Sequence, residues 1–351
     1  MLSKEISDII IASGHAAPSA DNSQPWLLTW LTSENKLILS YDKNRVAGLT
    51  FPADSPATLL TMGCVIENIY ALTQKYGLAP QIKYCDITSE EKYAEISFSS
   101  HNHLPDEAYS HPIFKRHTNR FSYLKSLQEH NISHITHFTE QDARVSLYSA
   151  PGTKKCIAKL AQSASEIRFQ TKEVHEWLAH SLRFTKEDAD KGNGLDLKTL
   201  DLPPAGGLFL KFIADWKNMY RLNKIGAYKI LSKIDSTPLR KAPCIIAITG
   251  KNTKQGAIDA GRLLCRTWTE LNQLNLAVHP YFVISDQLIR LKENQVPEHL
   301  VEQAKEIEAE SKTVFSLADD ENLYMLLRVG TPKSSPLKSK RLPVSHVFQT
   351  K

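Results

Sequence analysis

The run Pro18-Ser19-Ala20-Asp21-Asn22-Ser23-Gln24-Pro25-Trp26 joins two prolines that fix the backbone, small residues that permit close approach, and hydroxyl and amide groups that donate and accept hydrogen bonds. This suits the edge of a planar heteroaromatic ring, whose carbonyls and ring nitrogens need partners held in one plane. A helix cap followed by a buried tryptophan accounts for the serine and Trp26, though not for the whole run. A second group, Arg116-His117-Thr118-Asn119-Arg120, sets a hydroxyl between two guanidinium groups, whose forks match phosphate oxygens bidentately. In a helix the two arginines share a face, and a solvated helix face is the plainer reading of the same spacing. The tail Lys338-Ser339-Lys340-Arg341-Leu342-Pro343 offers further cations to the same anion.

Other chemistries find little support. Gly250-Lys251-Asn252-Thr253-Lys254-Gln255-Gly256 follows a strand pattern but lacks both G-K-[ST] and G-x-G-x-x-G, so it reads as a loop. His101, His103, His111, His117, His130, His134 and His137 crowd one stretch without H-E-x-x-H or a cysteine partner, and no metal site is expected. There is no G-x-S-x-G elbow. The five cysteines form no C-x-x-C pair and read as reduced thiols.

With 351 residues, 42% of them hydrophobic and 23% charged, the chain can bury a large core, and disordered or fibrous classes are excluded. No apolar run approaches the roughly 20 residues that span a bilayer, and the N-terminus carries no secretory pattern, so a cytoplasmic protein without a membrane partner is expected. The net charge of +5 equals the five basic residues of 331–351, which contain no acid. The rest of the chain is neutral in sum, which argues against a nucleic-acid partner. Strands are expected at 37–41, 93–98, 145–149, 244–249 and 323–329, and helices at 3–13, 56–76, about 153–185, 208–234, 256–274 and 297–312. Gly14 is expected to stop the first helix. Strands separated by long helices predict an α+β or α/β layered body.

Residues from Gly63 to Pro80 can be laid over Gly261 to Pro280, with Gly77 or Asn275 closing each helix fourteen positions after the glycine. Two copies of one helix-to-strand unit are one reading, and two amphipathic core helices the other. Segment 165–240 matches neither copy. It is aromatic and interrupted by Gly192-Asn193-Gly194 and Pro203-Pro204-Ala205-Gly206-Gly207, which reads as an insertion, either a lid or scaffold helices.

Taken together, these motifs make the sequence resemble the nitroreductase superfamily of FMN-dependent oxidoreductases. The P-S-x-x-N-x-Q-P-W run is residues 18–26, the R-[ST]-x-R motif is Arg116, Thr118 and Arg120, and the G-L-x-x-x-P turn is Asn275 to Pro280. The basic ending is Lys340-Arg341-Leu342-Pro343. The match is most like the longer, internally duplicated Acg-type branch. The resemblance implies an α+β three-layer fold, a central mixed or antiparallel sheet with helices on both faces, made of two fused halves, 1–105 contacting the flavin ring and 106–351 holding its phosphate, with the insertion 165–240 and the basic arm 331–351. It implies that Arg116, Thr118, Arg120, Lys340 and Arg341 hold the phosphate of FMN, with Lys338 able to replace Lys340. Pro18, Ser19, Ala20, Asn22 and Gln24 would contact the ring, and Pro280, Tyr281 and Phe282 would approach its N5 region. In ordinary members the phosphate motif precedes the ring run and each FMN sits between two subunits. Here the order is reversed, so one chain suffices for one FMN, with a homodimer still possible. The implied activity is two-electron transfer between NAD(P)H, or a biosynthetic donor, and a small acceptor such as a nitro compound or quinone, with no dedicated catalytic residue evident. The alternative is a protein that sequesters FMN beneath a lid.

Overall fold

The computed structural model describes residues 2–86, 91–99, 106–127 and 132–351. His101, His103 and His130 therefore lie outside the described residues, as does the expected boundary at residue 105. The fold is α+β and carries two five-stranded sheets. The first runs in the order 348–350, 26–31, 36–41, 92–97, 81–84, and the second in the order 277–281, 321–330, 244–251, 143–148, 139–140. In each sheet two antiparallel neighbours are followed by a 20-residue helix and then an edge strand, and the next strand inserts between the edge and the earlier pair. The C-terminal strand 348–350 crosses to the first sheet and pairs in parallel with 26–31.

The two 20-residue helices, Pro56–Lys75 and Lys254–Gln273, start on Ser55 and Thr253, whose hydroxyls accept from Thr58 N (3.2 Å) and Gly256 N (2.9 Å). Gly77 and Asn275, both at positive φ, close them. Every residue from Ala57 to Ile69 and from Gly256 to Cys265 is buried, because the helices pack on each other between the sheets. The contact centres on the matched glycines. A Cβ on Gly63 would lie 2.1 Å from Ile258 O, and one on Gly261 would lie 2.1 Å from Leu60 O. The Cys64 thiol donates to Gly261 O and the Cys265 thiol to Asn68 Oδ1, each at 3.1 Å. None of the five cysteines forms a disulfide.

Beside this crossing, buried Glu67 receives Arg262 (3.1 Å) and Arg266 (2.7 Å), and Glu140 completes the cluster on Arg266 at 2.6 Å. Burial pushes the Glu67 carboxyl up, opposed by the two guanidiniums. Glu67→Ala leaves Arg262 buried with only part of its compensation, and a loss of about 3 kcal/mol is expected in equilibrium unfolding. A loss below about 1 kcal/mol would mean that Glu140 alone balances both arginines.

The expected strands are present within two residues at each end. Strands 26–31, 81–84, 277–281 and 348–350 and the helix Val283–Lys292 are additions, short elements flanked by turn residues. Gly14 lies inside the first helix, Lys4–His15, where a Cβ would meet Ile69 at 3.0 Å, so its small size serves packing. The insertion is more broken than expected. The helix at 153–185 divides at Thr171 into Pro151–Gln170 and Lys172–Ser181, and the helix at 208–234 becomes Gly206–Ile213, Trp216–Asn223 and Ala227–Lys241. The Asp215 cap and Gly226 at φ 85° make those breaks. Among the described residues no helix is long and apolar enough to cross a membrane.

Candidate functional site

A cavity of about 500 Å³ opens where the 16–22 loop, the 116–120 segment, the turn at 280–282 and the tail at 337–341 meet beneath the insertion. The loop leaves the first helix through Pro18 and turns sharply, with Asp21, Asn22 and Gln24 at φ 48°, 58° and 50°. Aspartate and asparagine tolerate that left-handed region better than most residues. The Ser19 hydroxyl accepts from Gln24 N at 3.0 Å, closing the turn. The result aims Pro18, Ser19, Ala20, Asp21 and Asn22 at the cavity and Gln24 away from it. Buried Gln24 is a clasp. Its Nε2 donates to Asn22 O (3.0 Å) and Gly192 O (2.9 Å), and its Oε1 accepts from Leu342 N (3.1 Å). Asn22 Nδ2 donates to Gly194 O (3.1 Å) and Lys340 O (2.8 Å). Gly192, at φ 79°, approaches so closely that a Cβ would lie 2.3 Å from Arg341 O. Insertion, loop and tail are thus tied at one point.

Residues 116–120 are not helical. His111 and Pro112 start a one-turn helix that ends at Lys115, and Arg116 leaves it at ψ 136°. The extended chain is pinned by His117 N to Asn272 Oδ1 (2.7 Å), Trp268 Nε1 to His117 O (2.9 Å) and Asn119 N to Val278 O (2.8 Å). Alternation in extended backbone, not helical spacing, brings Arg116, Thr118 and Arg120 to the cavity. At about 3.3 Å per residue, the four steps separate the two arginines by roughly 13 Å of chain.

Arg116 therefore shares its end of the cavity with Arg341 and Lys338. Its guanidinium sits 4.6 Å from the Trp268 ring and donates to Ala16 O at 3.2 Å. Arg341 donates to Ala17 O (2.9 Å) and His15 O. Those carbonyls lie at the negative end of the first helix, which offsets part of the charge. Neither arginine has an ion-pair partner among the described residues, and the Nε of each is buried without a hydrogen bond. Burial, and then the proximity of Arg116, push Arg341 down to about 9, and burial lowers Arg116 as well. Lys338 is likewise lowered, by burial and then by Arg116. Lys340 does not join them. It points outward to Asp190 at 2.7 Å, so Lys338 is the lysine that lines the cavity.

Arg120 lies at the other end, near half-buried Asp21. Burial lowers Arg120 while Asp21 opposes that shift, and burial raises Asp21 against Arg120. Pro280, Tyr281 and Phe282 form the adjacent wall. His279, whose Nδ1 is buried without a partner, has its ring centre 4.5 Å from that of Tyr281 and is held neutral by burial. The roof is Trp177, edge-on to Phe51 at 4.6 Å, with Phe51 in turn 6.0 Å from Phe282. An Arg168–Asp235 ion pair (3.0 Å) closes the far side. Asp21 was legible as part of the loop run, whereas Trp177, Arg168 and Asp235 carry no spacing signal and were found only through the packing of the insertion.

His15 gives the site a pH signature. It is buried, with Nε2 donating to Leu342 O at 2.8 Å, and burial, followed by the Arg341 charge, pushes it down to about 4. Below pH 6.5 the unfolded chain takes up a proton that the folded chain refuses until about pH 4, so stability drains away across that window and is retained above it. Between pH 7 and pH 4 the wild type is expected to lose about 3 kcal/mol more than His15→Gln, read from denaturation midpoints. Parallel stability curves would mean that His15 is protonated in the fold.

No family model matches the sequence, and no curated protein matches it. Among solved structures, the chain is similar to a nitroreductase with bound FMN from Bacteroides fragilis at 8% identity and TM-score 0.39, covering 68% of this chain and 96% of that one. It is similar to the FMN-dependent nitroreductase NfnB from Mycobacterium smegmatis in complex with NADPH at 12% identity and TM-score 0.38, covering 69% and 97%. A nitroreductase-like family protein from Bacillus cereus is similar at 11% identity and TM-score 0.36, covering 71% and 98%. At this level of likeness the chemistry has to be read from the residues of the site.

Proposed function

We propose that the cavity holds FMN and that the protein is an oxidoreductase of nitroreductase type, passing two electrons from NAD(P)H or another organic donor to a small acceptor such as a nitro compound or quinone. The observation that carries this reading is the half-buried pair Arg116 and Arg341, without a carboxylate partner among the described residues, at one end of a cavity whose opposite end has aromatic walls. A volume of about 500 Å³ lies in the range of cofactor sites. A phosphate dianion would pair with the guanidinium groups of Arg116 and Arg341 that line this end, with Lys338 at its rim. Thr118 stands between the two ends, where the polyol chain would lie. Arg120 and Asp21 set a donor beside an acceptor at the ring end, matching the carbonyl and N–H of a flavin pyrimidine, and Pro18, Ser19, Ala20 and Asn22 line the same edge. This moves Arg120 from the phosphate to the ring. Tyr281 and Phe282 supply an apolar wall that keeps water from the reacting face.

Bound FMN supplies the two-electron chemistry, and the protein supplies position, dryness and charge. The repeated strand order and the matched helix glycines support two fused halves, which together build one site in one chain. In anaerobic stopped-flow mixing of the FMN-loaded protein with NADPH and with NADH, the oxidised flavin band is expected to bleach with at least one of them. The contact of Trp177 with Phe51 favours a second reading, a closed protein that sequesters FMN. Flavin that stays oxidised with both donors, and with chemical donors of similar size, would support that reading over turnover.

A further inference from the structure

We infer that the outer face of the 206–241 insertion docks on a bilayer surface rich in anionic phospholipid. Of thirteen large apolar side chains exposed among the described residues, seven fall between 208 and 234. Leu208, Ile225, Ile230 and Ile234 are 63–81% exposed, far beyond a chance edge of core. Residues 206–241 carry eight basic and two acidic residues. One of the acids, Asp235, is turned inward to Arg168 and the cavity. The eight basic side chains are all exposed, and none is in an ion pair among the described residues.

The pattern is clearest on the Ala227–Lys241 helix. Ser232, Ser236 and Leu239 are its buried face. Ile230 and Ile234 stand on the opposite side, one turn apart, flanked by Lys229 and Lys233. The preceding Trp216–Asn223 helix adds Lys217 and Arg221, and Ile225 at its end is the most exposed of the group, next to Lys224. Apolar tips interleaved with long basic side chains fit a helix lying in a bilayer interface, the tips below the headgroups and the ammonium groups at phosphate level. A second copy of the chain fits poorly, since a symmetric contact would bring this basic face against itself. Nucleic acid offers phosphates but nothing for aliphatic isoleucine and leucine tips. A surface-lying face needs no spanning run, so the absence of one, which underlay the expectation of no membrane partner, does not bear on it. Because Asp235 on the same helix lines the cavity, docking would set the roof of the site close to the bilayer.

The test is sedimentation of the full chain with vesicles of phosphatidylglycerol and phosphatidylcholine, and with vesicles of phosphatidylcholine alone. The protein is expected to pellet with the first and stay in solution with the second. Lys224→Glu with Lys229→Glu and Lys233→Glu should abolish pelleting. Ile225→Ser with Ile230→Ser and Ile234→Ser should weaken it by about tenfold or more. All six sites are exposed, so circular dichroism and melting should match wild type. Protein that stays in solution with both vesicle types overturns the inference, as does pelleting that the isoleucine variant leaves unchanged. A wild-type dimer that the isoleucine variant dissociates, or binding to duplex DNA without binding to vesicles, would each replace the bilayer with another occupant.

Discussion

Replacing Arg116 and Arg341 together by alanine is expected to weaken FMN binding by about a thousandfold while leaving riboflavin binding nearly unchanged. Riboflavin has the same ring and polyol but lacks the phosphate, so the comparison isolates the anion. A hydrogen bond to a charged group is worth about 1.5–3 kcal/mol, or roughly 10- to 150-fold in affinity, and two such guanidiniums multiply. About 30-fold from each, the middle of that range, gives about a thousandfold. Both groups are half-buried and have no carboxylate partner among the described residues, so an arriving phosphate meets no competing counter-ion there. Flavin fluorescence titration of both ligands reads the two affinities. Arg120→Ala should behave differently, weakening FMN and riboflavin alike, because its side chain faces the ring end near Asp21. If the double variant loses both ligands equally, the arginines hold the fold and not the phosphate. If it keeps FMN, the phosphate assignment fails. Arg341→Lys should recover only part of the loss, since an ammonium group replaces the charge but not the fork.

The distinction between Arg116 and Arg120 marks where sequence reasoning stopped. The residue types at 116, 118 and 120 were legible as anion chemistry, and all three reach the cavity. Their division between two ends was not, because a spacing of four fits a helical face as well as an extended edge. The choice is made by the one-turn helix at Pro112–Lys115 and by the backbone bonds to Asn272 and Val278, more than 150 residues away in sequence. Gln24 and Lys340 show the same limit in a different way. Both sit inside matching motifs, yet left-handed backbone at Asp21, Asn22 and Gln24 turns the glutamine inward, and Asp190 draws the lysine outward. A motif fixes which side chains are present, while tertiary partners fix where they point. Charge was concealed by summation. The neutral balance outside the tail hides a strongly basic segment at 206–241 that the remaining acids cancel only on paper. The long buried helices, in contrast, were legible almost to the residue, since twenty apolar-rich positions between a serine or threonine cap and a glycine or asparagine stop have few alternatives.

Gly63→Ala with Gly261→Ala is expected to leave no soluble, cooperatively folded protein. Each glycine faces backbone and not a yielding side chain: the added methyl would sit 2.1 Å from Ile258 O in one case and 2.1 Å from Leu60 O in the other. A carbon–oxygen contact needs about 1 Å more, and a carbonyl fixed in a buried helix cannot rotate away. The only relief is to part the two helices, which breaks the Cys64 and Cys265 hydrogen bonds across the crossing and opens voids along Leu60, Val65, Ile258 and Leu264. Overpacking against side chains costs about 1–3 kcal/mol, and against backbone the upper end or beyond applies to each site. The sum then approaches the 5–15 kcal/mol that holds a typical domain together. Gly14→Ala is the proper control, since its methyl would meet only the Ile69 and Val65 side chains, at 3.0–3.3 Å, and those can adjust. Soluble yield and denaturation midpoints read all three variants. A double variant that folds with near wild-type stability would mean that the two central helices are farther apart than this, and with them the loop and tail that bring the halves of the site together.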